Sequence, residues 1–334
     1  MNTHNRTAHP SLLYRGEWPT WMLIGLVYGG WTAILGGFRL GWLNLPSTTV
    51  LLVIWVAWFM SMQHELIHGH PTRRPWLNAL LGQAPLSIWY PYGLYRDSHL
   101  LHHSDSDLTL PDIDPESTYV SPARWNRAGP VMRGLLTARK TLLGRLLLGP
   151  PWGVIVLLAG TCRDFTQGDW RRLPLWLGHG ALCAILLYGI ERIAGLPAGY
   201  YLLAVTWPAL SLASVRSFYE HRASADIAER TVINEGGWFT RLLFLNNNLH
   251  AAHHARPDVP WYALPAFYRS RREALLAGNG RFHLTGGYWQ LLRRYAVRPV
   301  DAPAHPAASN SIGGSAPVSF VSSTHGPMPF RVAY

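Results

Sequence analysis

A chain of 334 residues with 14% charged side chains, 49% hydrophobic ones and 16 tryptophans is too apolar for an ordinary soluble enzyme, whose charged share is about 25%. The formal net charge of +11 is carried almost wholly by arginine; nucleic acid is one partner such a balance suggests, but the placement of the arginines along the chain explains it without one. Cys162 and Cys183 both lie in apolar surroundings, which excludes a disulfide scaffold and a CxxC metal site.

In chain order, the opening "MNTHNRTAHPSLLYRGEWPT" lacks the charged, apolar and small-residue succession of a cleaved signal peptide. The first membrane helix is therefore expected to serve as the insertion signal. Apolar runs from about Trp21 to Phe38 and from Thr48 to Met62 predict a first hairpin of spans. Leu173–Ile190 and Ala198–Val215 predict a second. Two weaker stretches, "LNALLGQAPLSIWYPYGLY" and "LLLGPPWGVIVLLAG", are interrupted by Pro and Gly and are expected to be interfacial or re-entrant. The links inside the hairpins carry one basic residue each, Arg39 and Arg192, whereas the segment between the hairpins holds basic residues from Arg73 to Arg172. The positive-inside rule then puts that segment, the region after Val215 and the N-terminus in the cytoplasm. From about Arg298 the chain is rich in Ala, Pro, Ser and Gly without periodicity, so the expected division is a catalytic domain over 1–298 and a disordered tail over 299–334.

Of the 16 histidines, His4, His9, His305 and His325 lie near the termini and carry little information. Eight others form three boxes: "HELIH" with His64 and His68, "HLLHH" with His99, His102 and His103, and "HAAHH" with His250, His253 and His254. Spacings of three and four place the members of each box on one helical face. The expected topology brings all three boxes to the cytoplasmic mouth of the bundle. The first box spells the HExxH signature of zinc peptidases, a competing reading. Eight imidazoles, however, exceed the four ligands one zinc takes and suit two metals. Imidazole itself fits Fe, Cu, Ni or Zn; neutral ligands would leave an iron pair strongly oxidising after O2 reduction, which favours iron. Glu65 is then expected to orient a neighbouring imidazole instead of acting as a base.

HxxxH, HxxHH and HxxHH in this order, with a membrane hairpin between the second and third, resemble the membrane fatty acid desaturase superfamily over roughly Trp21 to Pro265. "HHSDSDLTLPDIDPESTY" and "HHARPDVPWYALPAFY" look like the continuations of these boxes in bacterial members. The resemblance implies an all-α integral membrane fold, four transmembrane helices in two hairpins under a helical cytoplasmic cap holding a di-metal site. It further implies two Fe ions, O2 as co-substrate and a bacterial inner-membrane location. A ninth histidine often lies just beyond the fourth span in such enzymes, and "RSFYEHRA" offers His221 there. Ser217 stands where some members carry an asparagine near the metal, so that water-mediated contact is expected to be absent or to move to one of Asn246–Asn248, with Asn247 at the centre, where helix capping is the competing reading. "FYEH" is also similar to a motif of alkane monooxygenases, which leaves hydroxylation open beside desaturation.

The remaining expectations concern surroundings and partners. The acids Asp105, Asp107, Asp112, Asp114 and Glu116, with Asp107 the one singled out, are expected either to fix the tautomer of a ligating imidazole or to form a solvated acidic loop. His70 is expected to face solvent in the "HGHPTRRP" turn, and His179 to find water or a backbone partner inside the third span. Trp89, Tyr90, Tyr92, Tyr95, Trp238 and Phe239 either line the access of a lipid or acyl substrate from the bilayer or form an ordinary aromatic belt. No fused haem module is present in the sequence, so a separate ferredoxin, rubredoxin or cytochrome is expected to deliver electrons, steered by the arginine-rich face.

Overall fold

The computed structural model describes residues 16–104 and 107–306. The expected tail over 307–334, and His4, His9, Asp105 and His325, lie outside the described residues. The chain is built almost entirely of helices. α1 (Trp18–Arg39) and α2 (Leu45–Ile67) form the first hairpin. α2 starts where Asn44 Oδ1 accepts the Ser47 N–H at 3.0 Å, with Pro46 in the first turn, where a missing N–H is tolerated. Val27 on α1 and Leu52, Val56 and Phe59 on α2 are fully buried in a shared apolar core. Both helices leave large apolar side chains such as Met22, Leu26 and Val50 exposed, as a lipid-facing surface requires.

α3 (Pro75–Gly82) is a short helix, and the chain then runs without regular structure to α4 (Tyr92–Ser104), so the first of the two interrupted stretches is indeed broken. The second is not. After α5 (Pro122–Arg127) and α6 (Pro130–Ala138), α7 (Leu142–Thr166) continues unbroken through Pro150 and Pro151. A proline inside a helix leaves the carbonyl four residues earlier without its donor. Here the Ser211 hydroxyl supplies a replacement, donating to the Leu146 carbonyl at 2.7 Å. The expectation of a broken segment is corrected by that distant side chain.

α8 (Leu173–Ala194) and α9 (Ala198–Arg216) make the second hairpin, each with a π-helical turn (Ile190–Ala194 and Tyr201–Val205). α9 packs against both α2 and α7. With α1, α2 and α7 these make five helices, among the described residues, long and apolar enough to cross a membrane. α7 differs from the other four in what it touches. Its first residue, Leu142, packs with Phe218, Val232 and Phe282, and near its other end Arg163 and Asp164 line a cavity with Asp112 to Val120.

The cap is completed by α10 (Trp238–Leu243), α11 (His250–Ala255), α12 (Leu264–Gly278) and α13 (Gly287–Tyr295). One parallel pair of two-residue strands, β1 (Ile233–Asn234) and β2 (His283–Leu284), ties them together. The boundary expected at residue 298 is also corrected. Val300 N–H donates to the Lys140 carbonyl, and Val120 exchanges backbone hydrogen bonds with Pro303 and His305. Residues 299–306 therefore belong to the cap.

Candidate metal centre

α2 carries His64 near its C-terminal end, and His68 follows as its C-cap. α4 presents His99, His102 and His103, α11 presents His250, His253 and His254, and His221 comes from the turn after α9. All nine converge in two groups. His64, His68, His99, His103 and His253 form one; His102, His221, His250 and His254 form the other. Within each group the ligand atoms lie within 4.8 Å of one another.

Helical geometry explains why each HxxHH box contains adjacent histidines. His99 and His103, four apart, face the first group while His102 faces the second. On α11 the pattern inverts: His250 and His254 face the second group and His253 the first. The rings of His103 and His254 stack with centroids 4.2 Å apart, so the two groups adjoin.

The donor set fits metal cations. His99 Nδ1–H donates to Glu116 Oε1 at 2.8 Å and His102 Nδ1–H to Asp114 Oδ1 at 2.9 Å. With the proton held on Nδ1, the inward Nε2 atoms present lone pairs. These atoms face one another closely: His68–His99 at 3.0 Å, His221–His250 at 3.0 Å, His250–His254 at 3.1 Å and His103–His253 at 3.2 Å. The buried Nε2 atoms of His64 and His102 have no hydrogen-bond partner. Facing lone pairs repel, and a cation between them reverses the sign. Nine imidazole nitrogen donors in adjoining sets of five and four exceed one zinc and suit two transition-metal ions.

Electrostatics agree with neutral ligands. Burial, reinforced by mutual repulsion, pushes His68, His99, His250, His253 and His254 well below the usual imidazole range and His221 down to about 3. His102 is the exception. Burial resists its charge, but Glu116 and Asp114 outweigh burial and lift it to about 9. The same carboxylates make it the most basic donor toward a cation.

The expected supporting residues are partly redistributed. Asp114 and Glu116 hydrogen-bond imidazoles of the two groups, and Asp107 sits within electrostatic reach of Arg230. Positive φ angles at Thr109 and Asp112 turn the intervening loop, so sequence distance from the box does not tell which acid returns to it. Asn247 Oδ1 lies 3.3 Å from His250 Nδ1, beside the second imidazole group. Ser217 is occupied elsewhere, accepting from Arg145 Nη2 at 2.8 Å. Glu65 does not orient an imidazole by hydrogen bonding, since its nearest approach to His64 Nδ1 is 3.9 Å. Its other oxygen accepts the Trp261 backbone N–H at 3.1 Å, pinning the chain after the third box to the first. Glu220, which sequence reasoning did not single out, is buried 3.7 Å from His250 Nδ1; burial raises it to about 7. Its position beside His221 in "FYEH" was the available signal.

His70 corrects its expectation outright. It is fully buried and its Nδ1 lies 2.8 Å from Glu17 Oε1, because the chain entering α1 folds over the turn. It belongs to neither imidazole group. His179 has the backbone partner expected, its Nε2 lying 2.6 Å from the Ile88 carbonyl oxygen. His305 is also buried, 3.0 Å from the Thr109 hydroxyl, so its place near the terminus misled. Among the aromatic residues, Tyr90, Tyr92 and Tyr95 are buried while Trp238 and Phe239 are exposed.

No curated protein matches the chain significantly. The family model "Fatty acid desaturase" matches residues 40–286, a span that contains all three boxes and His221. An apolar bundle, a helical cap and two adjoining imidazole groups are thus joined to a match over most of the chain, which is an integral membrane protein and belongs to the fatty acid desaturase family.

Proposed function

We propose that this protein is an O2-dependent membrane di-iron oxidoreductase that introduces a double bond into a lipid acyl chain. The observation that carries this reading is the convergence of nine imidazoles in two adjoining groups within a chain of this family. When bound, two irons would supply O2 reduction and removal of hydrogen from an unactivated methylene. The chain's own residues hold and aim that chemistry. Asp114 and Glu116 keep two imidazoles in the metal-binding tautomer, and Glu65 and Asn247 fasten the third box against its neighbours. Burial keeps the imidazoles other than His102 in their neutral, metal-ready form.

The acyl chain is proposed to approach the site past Met60, Ser61, Tyr90, Tyr95, Leu210 and Ala213, where a pocket of about 30 Å³ must widen to admit it. The pocket walls come from α2, α4, α7, α9 and the segment before α4, and the Tyr95 ring lies 5.8 Å from the ring of His99. A substrate entering between these helices would bring methylenes toward the imidazole groups past a lining that also holds Ser214, Arg216 and Ser217. The hydroxylase reading shares every one of these features and differs only in whether oxygen returns to the carbon. The peptidase reading is disfavoured because Glu65 is committed to the Trp261 N–H, whereas a metallopeptidase base must face the metal-bound water.

Four crossings with a cytoplasmic site complete the proposal. α7, α8 and α9 separate the second box from the third in sequence, yet both boxes enter one site, so an even number of the three crosses. The cap contacts at both ends of α7 favour α7 as the helix that lies in the membrane plane. A separate ferredoxin, rubredoxin or cytochrome would bring electrons to the basic cytoplasmic face.

Lipid mass spectrometry after expression in a host lacking such an activity tests the reaction. Loss of two hydrogens from an acyl chain supports desaturation, and gain of one oxygen supports the hydroxylase reading. Unchanged lipids with cleaved peptide would overturn both.

A further inference from the structure

A cavity opens between α7 and the segment Asp112 to Val120 that follows the second box. At its edge, between α6 and α7, Arg139 is 7% exposed. Its Nε and Nη2 atoms are buried without a hydrogen-bond partner. The guanidinium carbon stands 4.5 Å over the Trp152 ring, and Arg139 and Trp152 both line the cavity, together with the exposed Arg124 and Arg163. Three acids share the lining, Asp112, Asp114 and Asp164. Asp114 is committed to His102, and Asp164 interacts electrostatically with Arg172. The neighbouring cation Lys140 is taken by Asp301 at 3.0 Å.

A buried guanidinium with idle donors is costly, and an anion that accepts from it removes the cost. Burial, with Arg145 and Arg124 close by, already pushes Arg139 down to about 9, the mark of a cation lacking a counter-ion. The guanidinium fork matches the paired oxygens of a phosphate. Continuing from Trp152 beneath the guanidinium, α7 contributes Val156 and Ala159 to an apolar stretch of the lining. Ile155 and Leu158, on the same helix, are exposed apolar residues. A cationic seat beside an apolar ramp fits an amphipathic anion better than a free one.

We infer that this cavity binds the phosphate of a bilayer lipid, seated on Arg139 with Arg124 and Arg163 at the rim and its acyl portion along α7. Inorganic phosphate shares the recognised chemistry and is the competing source. The inference does not depend on which reaction the metal centre performs. It does bear on that centre, because the segment forming one wall carries Asp114 and Glu116, the partners of His102 and His99. An occupant would brace that segment.

The test is native mass spectrometry of the purified full chain in neutral detergent, titrated separately with dioctanoyl phosphatidic acid, dioctanoylglycerol and inorganic phosphate. Phosphatidic acid should bind at least about tenfold more tightly than either of the others, and Arg139→Gln should weaken it by about tenfold or more, the loss of a charge-assisted bidentate contact. Arg139→Lys should retain part of the affinity. Val156→Trp, which fills the apolar wall and leaves Arg139 intact, should weaken phosphatidic acid and spare inorganic phosphate; it keeps the test decisive should Arg139→Gln fail to fold. Equal affinity for inorganic phosphate would overturn the lipid assignment in favour of free phosphate. Equal binding of dioctanoylglycerol, or affinities untouched by both substitutions, would overturn the site itself.

Discussion

Replacing Asp114 by asparagine removes a buried charge on which three donors converge. Asp114 is 2% exposed; it accepts from His102 Nδ1 at 2.9 Å, the Thr109 N–H at 2.8 Å and the Glu116 N–H at 2.9 Å. Asparagine keeps one acceptor oxygen and turns an amide donor toward a former donor. A hydrogen bond to a charged group contributes about 1.5–3 kcal/mol. Removing the carboxylate partner of a ligating histidine lowers metal affinity roughly 10–100-fold, or about 1.4–2.7 kcal/mol. His102 belongs to only one imidazole group, so the loss should fall mainly on one of two metal ions. Iron retained during titration with a chelator should therefore change from two similar steps to one early and one late step in Asp114→Asn. Both irons leaving as in the unsubstituted protein would refute the role assigned to Asp114.

Three further substitutions separate structure from metal binding. His70→Ala removes the buried contact with Glu17 and should lower unfolding stability by about 1.5–3 kcal/mol while both irons remain; loss of iron would make His70 part of the centre. Ser211→Ala orphans the Leu146 carbonyl beneath Pro150 and should lower the thermal midpoint through a penalty of about 1–3 kcal/mol; an unchanged midpoint would mean that another group satisfies that carbonyl. Lys140 carries the pH signature. Burial brings it from 10.5 to about 8 against the pull of Asp301. Between those pH values the unfolded chain holds a proton that the folded chain has released, so stability rises with pH across that window. The gain is on the order of 3 kcal/mol from a shift of this size, and it should vanish from pH-dependent unfolding curves of Lys140→Met. Parallel curves for the two proteins would exclude a neutral Lys140 in the folded state.

The site was legible in sequence because its chemistry is periodic. Spacings of three and four on short helices force imidazoles onto shared faces, and the hairpins bring those faces together. The same spacings encode which histidine joins which group, since the adjacent pairs His102–His103 and His253–His254 must point to opposite sides. What supports the ligands was less legible because it is set by loops and distant pairings. Asp114 and Glu116 return to the imidazoles because the backbone reverses at Thr109 and Asp112. Glu17 reaches His70, and Ser211 rescues the helix at Pro150, across separations no local pattern reports. The docking of residues 299–306 was hidden for a related reason. A segment of Ala, Pro and Asp looks like a tail until Lys140 and Val120 are seen to hold its backbone and Asp301.

Elemental analysis of the purified full chain, produced with iron supplied, reads the central claim directly. The two imidazole groups have room for two metal ions; the proposed di-iron reading predicts about two irons per chain, falling toward one when a residue of a single group, such as His221, is replaced by alanine. One zinc with no iron, or two irons unaffected by His221→Ala, would contradict the account.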